Sequence, residues 1–187
     1  MNKDIRAFLI AGQVCSGKTS TAKVLEEYTG AIRFTPDEWM LKLFPDHVNC
    51  EDFDRIFYKC CEISWGVAER CLSKGLSVIL DFGFWKKKDR EAYIKLLSEL
   101  GYNCCSIYVS CEDRVIRERL RKRNKNLPEG VFHISEEAYD YFSPGFEEPS
   151  NDEKFLVFDN NPDGNPEDRF QDWLKNFFSA KIALKKF

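Results

Sequence analysis

The sequence predicts a three-layer α/β sandwich in which a five-stranded parallel sheet lies between two layers of helices. Short apolar segments alternate with amphipathic helical segments along the chain, which is typical of parallel sheets covered on both faces. A glycine loop follows the first apolar segment and leads into a helical pattern. The 187 residues, of which 43% are hydrophobic, suffice for one domain with a sizeable core. We therefore expect a single domain over residues 1–187, with right-handed crossovers between strands.

Glycine and proline mark the ends of the first four elements. The glycine loop separates the first strand from the first helix, Gly30 ends that helix, and Pro36 ends the second strand. In chain order these elements are strand Ile5–Ala11, helix Gly17–Tyr28, strand Ala31–Thr35 and helix Asp37–Phe44.

A long helix is predicted over residues 51–74, because apolar side chains recur there every three or four positions. Its expected apolar face consists of Phe53, Ile56, Phe57, Cys60, Ile63, Val67 and Cys71. Strands and helices then alternate again toward the end of the chain. In order they are strand Ser77–Asp81, helix Lys86–Leu100, strand Cys104–Val109, helix Glu112–Arg123, strand Phe155–Phe158 and helix Pro166–Phe178.

One long connection interrupts this alternation between the last two helix–strand units. Residues 124–154 are rich in proline, glycine and acidic groups, and they contain one short helical pattern, Ser135–Phe142. Connections of this length inside a compact domain are usually functional or mobile. We therefore predict that this stretch, called the lid segment below, is a helical lid or insert.

The composition disfavours several classes of protein. The formal net charge of −3 means that the surface as a whole does not attract polyanions. The eight cysteines include two adjacent pairs and no C-x-x-C, which favours buried thiols over a disulfide framework or metal site. No segment approaches the roughly 20 apolar residues that span a bilayer, and the run Ala7–Ala11 is too short for a signal peptide. We expect a cytoplasmic protein that has no membrane partner.

The segment Gly12–Thr19 fits the phosphate-binding pattern G-x-x-x-x-G-K-[ST]. Its glycines let the backbone curl so that successive N–H groups point at phosphate oxygens, and the following helix adds its dipole. Lys18 is expected to reach the β- and γ-phosphates, and the Thr19 hydroxyl to bind Mg²⁺. The residues predicted to bind the nucleotide are Gly12, Cys15, Ser16, Gly17, Lys18, Thr19 and Ser20.

Two comparisons of motifs narrow the class of nucleotide-binding protein. A GTPase would carry Asn-Lys-x-Asp, and the comparable stretch Asn124–Leu127 lacks the aspartate. Asp81-Phe82-Gly83 imitates a motif of protein kinases, but the H-R-D catalytic loop of those enzymes is missing. What remains is a small kinase with a P-loop NTPase fold.

Four further segments, together with the glycine loop, resemble a known group of proteins over most of the chain. They are Thr35–Trp39, Asp81–Trp85, Arg119–Asn124 and Phe146–Pro149. Together they look like the bacterial ATP-binding proteins grouped near zeta toxins, chloramphenicol phosphotransferase and the kinase domain of bacteriophage polynucleotide kinase. This resemblance implies ATP as the nucleotide, with Mg²⁺, and the nucleoside monophosphate kinase strand order 2-3-1-4-5.

Two carboxylates are expected at the edge of the sheet where open α/β folds bind ligands. The resemblance implies that Asp37 is the base that orients and partly deprotonates the acceptor hydroxyl. The alternative is that Asp37 only caps the helix after Pro36. Asp81 is predicted either to hold Mg²⁺ through water or to form a hydrogen bond with the substrate. The alternative is that its carboxylate only accepts hydrogen bonds from N–H groups of the neighbouring loop.

Aromatic and basic side chains complete the candidate site. Trp39, Phe84 and Trp85 are candidates for an aromatic wall around the acceptor, or else they belong to the core. Arg90 is a candidate to bind an anionic group of the substrate, with a plain surface position as the alternative. The resemblance implies that Arg119 and Arg123, four apart on one helix face, close over the triphosphate as lid arginines.

The predicted reaction is transfer of the γ-phosphoryl group of ATP to a hydroxyl. A small molecule is the favoured acceptor. A nucleic-acid 5′-hydroxyl is the second choice, because residues 114–125 form a basic stripe, and a nucleotide sugar is the third. From a different class, a nucleotide-dependent switch would hydrolyse ATP slowly without any acceptor. The sequence does not determine the oligomeric state.

Overall fold

The computed structural model describes residues 6–44, 50–128, 131–161 and 165–184, and its strands pair in a single parallel sheet. The strands are β1 (Arg6–Ala11), β2 (Ile32–Phe34), β3 (Val78–Gly83), β4 (Asn103–Ser110) and β5 (Leu156–Asp159). Their order is β2-β3-β1-β4-β5, and every neighbouring pair is parallel. The predicted fold class and strand order are therefore confirmed.

Helices connect the strands in the predicted succession. They are α1 (Lys18–Thr29), α2 (Pro36–Leu43), α3 (Cys50–Ser73), α4 (Lys87–Glu99), α5 (Asp113–Lys125), α6 (Glu136–Phe142) and α7 (Pro166–Leu184). The lid segment contains α6 and two 3₁₀ turns, Ser143–Gly145 and Asn151–Glu153. Most ends lie within two residues of the predicted ones, and α7 extends beyond its predicted end. Ile5, the predicted start of the first strand, lies outside the described residues.

Successive residues of the central strand β1 supply the two apolar layers. Leu9 packs on the face that is covered by α3 and α4, with Leu72 and Leu97. Ile10 packs on the opposite face, against Leu25 of α1 and residues of α7. Each such fully buried side chain contributes roughly 1.5–3 kcal/mol from the hydrophobic effect. The strand ends that carry the candidate site therefore rest on a core that is packed from both sides.

The buried face of α3 differs from the predicted one in its C-terminal half. Ile63 is 53% exposed and Val67 is 40% exposed, whereas Ala68 is fully buried. The buried row continues from Cys60 through Ser64 in steps of four residues. Small side chains along this row allow the helix to approach the sheet closely, so close packing overrides the apolar pattern of the sequence.

The predictions on cysteines and membranes can be compared with the described part of the chain. The seven cysteines whose side chains are described there are free thiols. Within the same residues, no helix is both long enough and apolar enough to cross a lipid bilayer.

Candidate active site

The glycine loop lies at the carboxyl edge of the sheet, between β1 and α1. The backbone N–H of Gly12 donates to the carbonyl of Gly83, at 3.2 Å, which joins the start of the loop to the end of β3. Lys18 Nζ donates to the carbonyl of Gln13, at 2.6 Å, so the ammonium group folds back over the loop. The lysine is therefore held against the loop, whose curled backbone is of the kind that binds phosphate.

Two side chains from neighbouring elements hold the loop through the backbone carbonyl of Ser16. The Asn160 amide Nδ2 donates to the Ser16 carbonyl at 2.7 Å, and the Arg119 guanidinium donates to the same carbonyl at 3.2 Å. Arg119 also donates to the carbonyl of Asn160 at 2.9 Å. A Cβ atom at Gly17, where φ is 103°, would lie 2.4 Å from Asn160 Nδ2. Only glycine fits here without a shift of this amide.

Asn160 was not assigned a role from the sequence. It is fully buried directly after β5, at the edge of the sheet where ligands bind in open α/β folds. Its position after a strand was the only signal available. The structure adds that its amide holds the loop in place, which required knowledge of the tertiary contact.

Thr19 and Asp81 form the candidate Mg²⁺ site. The Thr19 hydroxyl donates to Asp81 Oδ2 at 3.0 Å, and the Thr35 hydroxyl lies 3.3 Å from the same oxygen. Asp81 is 5% exposed, and its other oxygen, Oδ1, has no hydrogen-bond partner among the described residues. Burial raises the pKa of Asp81, and the nearby charge of Lys18 opposes that rise.

These ligands fit the chemistry of magnesium. Within the described ranges, no three His, Cys, Asp or Glu side chains cluster to hold a metal. Mg²⁺ in kinase sites takes few ligands from the protein and the rest from phosphate oxygens and water. A hydroxyl beside a carboxylate with one unpaired oxygen is such a partial set, so the residues present fit the ion.

Asp37 lies in the first turn of α2, within electrostatic reach of Asp81 and Lys18. The N-cap residue of α2 is Thr35, so Asp37 is not the cap. The residue is exposed at the surface, but the surrounding protein removes part of the water from its carboxyl group. This desolvation, together with the negative charge of Asp81, raises the pKa of Asp37 to about 6. Lys18 and Arg123 act in the opposite direction. A carboxylate with this pKa is suited to accept a proton near neutral pH.

The two predicted lid arginines have different surroundings. Arg119 is committed to two backbone carbonyl groups, as described above. Arg123 donates to the carbonyl of Phe132 at 3.2 Å, and its Nε is buried without a partner among the described residues. The charge of Arg123 influences the pKa values of both Asp37 and Lys18, so its guanidinium lies within electrostatic reach of both groups.

The predicted aromatic wall is divided between core and cleft. Phe84 is 3% exposed and packs on Phe82 and Tyr93 in the core, so it is not available to an acceptor. Trp39 is half-buried and packs against the apolar clusters under α2 and α3. Trp85 is half-buried at the end of β3, where it remains a candidate for contact with ligands.

Arg90 does not have the predicted role of binding an anion. It is fully buried and forms a bidentate ion pair with Glu153, at 2.6 and 2.8 Å. Its remaining terminal nitrogen donates to the carbonyls of Phe84 and Glu147, at 3.0 and 2.7 Å. Because these groups occupy the guanidinium and cover it from solvent, no donor is left for a substrate.

Helix α6 of the lid segment docks on the glycine loop. The Tyr139 hydroxyl lies 2.9 Å from Gln13 Oε1 and 2.9 Å from Asp113 Oδ1, and the residue is 1% exposed. The guanidinium of Arg117 lies over the Tyr139 ring at 4.9 Å. Sequence reasoning did not single out Tyr139, since nothing in the local pattern of α6 indicates a contact with residue 13.

A protein-family model described as an AAA domain (AAA_33) matches residues 8–149 of the chain. This range includes the glycine loop, both carboxylates and both predicted lid arginines. No curated protein sequence matches the chain.

Solved structures share the fold at low sequence identity. A candidate kinase of Chloroflexus aurantiacus J-10-fl superposes with a TM-score of 0.73 at 14% identity, over 96% of this chain and 99% of its own. Kti12 of Chaetomium thermophilum, solved with ADP-AlF3, has a TM-score of 0.65 at 17% identity, over 93% and 98%. The APS kinase CysC of Mycobacterium tuberculosis, solved with AMPPNP and APS, has a TM-score of 0.60 at 13% identity, over 91% and 96%. These likenesses show a P-loop fold of the small-kinase type.

Proposed function

Because the chain belongs to this AAA domain family, we propose that it is a kinase that transfers the γ-phosphoryl group of ATP to a hydroxyl group of a small molecule. One observation carries the proposal: the charges of Asp37, Asp81 and Arg123 all act on the pKa of Lys18. The Asp81 carboxylate also accepts a hydrogen bond from Thr19 of the glycine loop. A site that only held a nucleotide would not need a carboxylate such as Asp37 within electrostatic reach of Lys18. The arrangement supports a candidate phosphate site with a candidate base close to it.

Each of these residues has a separate task in the proposed reaction. Lys18 and the loop N–H groups would bind the β- and γ-phosphates. Thr19 and Asp81 would hold Mg²⁺, which supplies neutralisation of phosphate charge when bound. Asp37 would orient the acceptor hydroxyl and take its proton, and Arg123 would neutralise charge that develops on the phosphoryl group. Catalysis then consists of positioning and charge neutralisation, without a covalent intermediate.

The charges of α5 favour a small acceptor over a polynucleotide. Arg114 pairs with Glu118 at 2.9 Å along the helix. Arg117 pairs with Asp113 and Asp140, and Arg121 pairs with Glu136 of α6, each at 2.7 Å. Arginines that are already paired with carboxylates neutralise fewer phosphates of a nucleic acid and so release fewer counterions from it. The affinity of α5 for a polynucleotide is therefore reduced.

The proposal is tested by incubating the protein with γ-labelled ATP, Mg²⁺ and a panel of hydroxyl compounds. We expect label to pass to a sugar, alcohol or other small hydroxyl compound. Labelling of the 5′-hydroxyl of an oligonucleotide instead would favour the polynucleotide alternative. Release of labelled phosphate with every acceptor class, and transfer to none, would overturn the kinase proposal in favour of a nucleotide-dependent switch.

Arg123→Ala is expected to lower the rate of phosphoryl transfer by about 100-fold, because one charge that stabilises the transition state is lost. The affinity for ATP should change far less, since the loop and Lys18 remain. Rates and nucleotide dissociation constants would be measured for Arg123→Ala and for Arg114→Ala, an exposed arginine of the same helix. Equal rates for Arg123→Ala and the wild type would refute the lid-arginine assignment.

A further inference from the structure

The turn after β3 has an unfavourable backbone conformation at two successive residues. Gly83 has φ of 75° and Phe84 has φ of 46°, which places both in the left-handed region. Glycine adopts this region readily, but a bulky residue such as phenylalanine rarely does. Such a conformation persists only where the surroundings hold it, and it is concentrated at functional sites.

Arg90 is the residue that holds this turn. Its Nη1 nitrogen donates to the Phe84 carbonyl at 3.0 Å and lies 3.4 Å from the Trp85 carbonyl. The same group donates to the Glu147 carbonyl at 2.7 Å, while the Glu153 carboxylate binds the other side of the guanidinium. A planar, permanently charged guanidinium can serve all these acceptors at once, which lysine cannot.

The lid segment holds the same turn through residue 147. The backbone N–H of Glu147 donates to the Trp85 carbonyl at 2.9 Å. The Glu147 carboxylate accepts from the N–H of Lys87 at 2.8 Å, at the start of α4. The backbone of the turn is therefore fixed by both Arg90 and residue 147, which limits the directions that the Trp85 side chain can take.

The Trp85 indole and the Lys18 side chain both approach Gly83. A methyl group built on Gly83 would lie 3.3 Å from Trp85 Nε1 and 3.7 Å from Lys18 Cε. The indole packs on Phe142 and Phe146, with ring centroids 5.5 and 5.7 Å away. No group among the described residues accepts a hydrogen bond from the indole N–H. A donor without a protein acceptor thus lies on the same side of Gly83 as the lysine of the phosphate loop, near the point where both side chains meet that glycine.

We propose that Trp85 contacts the ligand, its indole N–H donating to the terminal phosphate group at the transferring end, and that Arg90 is a positioning residue that holds it there. This inference rests on the proposed function, because it assumes that a triphosphate occupies the loop. It assigns Arg90 to the support of Trp85 and not to contact with the acceptor. It also explains why a strained turn is retained after β3.

Trp85→Phe tests the contact, since it keeps the aromatic packing and removes only the N–H donor. We expect the affinity for Mg²⁺·AMPPNP to fall about tenfold, the effect of one hydrogen bond to a charged group. The affinity for Mg²⁺·ADP, which lacks the terminal phosphate, should stay unchanged. General damage to the site would instead weaken both ligands equally. Trp65→Phe is the matched control, because Trp65 packs on Tyr93 between α3 and α4.

Intrinsic fluorescence supplies a second readout. The wild-type protein should change its tryptophan emission on binding AMPPNP, and Trp85→Phe should lack most of that change. The Trp65→Phe variant should retain it. An emission change that persists in full in Trp85→Phe would place the responding tryptophan elsewhere and overturn the contact.

Arg90→Met/Glu153→Gln tests the positioning role. Replacing Arg90 alone would leave a buried, unpaired carboxylate and endanger folding, so both partners of the ion pair are changed. In this double variant we expect the ratio of the affinities for AMPPNP and ADP to fall about tenfold, because the hydrogen bond from the indole is lost. Trp85→Phe is expected to lower the same ratio by the same factor. An unchanged preference would refute the role of Arg90, and Trp85→Phe tests the contact independently of how the double variant folds.

Different results would overturn the proposed kinase function and the inference on Trp85 and Arg90. If the wild-type protein binds neither ADP nor AMPPNP, both the proposed function and this inference are overturned. If it binds both nucleotides and Trp85→Phe keeps the wild-type ratio of affinities, only the inference on Trp85 and Arg90 is overturned.

Discussion

Asp37→Asn is expected to reduce the rate of phosphoryl transfer by about 1,000-fold, within the range of a lost general base. The asparagine side chain has nearly the same shape but cannot take the proton of the acceptor hydroxyl. ATP binding should persist, because the phosphate loop and the Mg²⁺ ligands are unchanged. Single-turnover transfer with labelled ATP, combined with equilibrium binding of ATP, separates the two effects.

The raised pKa of Asp37 predicts a pH dependence with a defined sign. In the nucleotide-free protein its pKa is about 6, above the ordinary value of 3.8, so the folded state holds this proton more tightly than the unfolded chain. Ionisation of Asp37 therefore costs stability, and the cost grows as pH rises from the ordinary pKa through the raised one. Asp37→Asn cannot ionise, so we expect its melting temperature to exceed that of the wild type above pH 6, with a smaller difference below pH 4.

Asp54→Asn provides the control for both measurements. Asp54 lies exposed on α3, and the substitution makes the same chemical change outside the cleft. This variant should transfer phosphate at the wild-type rate, and its melting temperature should not show the same gain. If Asp37→Asn retained full activity, the assignment of Asp37 as base would be wrong.

Lys18→Met is expected to lower the rate of phosphoryl transfer by about 100- to 1,000-fold. This is the effect typical of removing one hydrogen-bond donor that stabilises charge in the transition state. Methionine keeps most of the apolar stem, so the loop should retain its packing. In the nucleotide-free protein burial lowers the pKa of Lys18, while Asp81 and Asp37 oppose that shift. The lost ammonium group can no longer neutralise the β- and γ-phosphates, and weaker binding of ATP is expected together with the slower reaction.

Lys23→Met is the matched control, because Lys23 is an exposed lysine on the same helix α1. Binding of ATP and transfer of label would be measured for both variants under the same conditions. Wild-type transfer by Lys18→Met would mean that the loop Gly12–Thr19 is not the phosphate site, and the proposed function would lose its basis.

Local patterns were enough to predict the fold. The alternation of apolar strands and amphipathic helices is repeated along the chain, and each element carries its own boundary signals. The prediction was wrong at Ile63 and Val67 of α3, which are exposed although the sequence placed them on the buried face of the helix. Which face is buried depends on how closely the helix approaches the sheet, and the sequence of the helix alone does not contain that distance.

The candidate site was predictable where its residues are contiguous or follow strands. The phosphate loop is one uninterrupted motif, and Asp37 follows β2 while Asp81 lies in the last half of β3, near the edge where ligands bind in this fold. Arg90 and Phe84 could not be placed in the same way. Whether an arginine near a cleft faces the ligand or the protein depends on acceptors such as Glu153, which lies 63 positions later in the chain.

The sequence by itself determined the class of fold and the loop Gly12–Thr19, because periodicity and a contiguous motif are local properties of the chain. Only the tertiary structure decided which side chains serve that loop. It brought Asn160 and Arg119 to the Ser16 carbonyl, Tyr139 against Gln13, and both Trp85 and Lys18 against Gly83. These contacts join segments that are distant in sequence, and their partners become known only when the chain is packed in three dimensions.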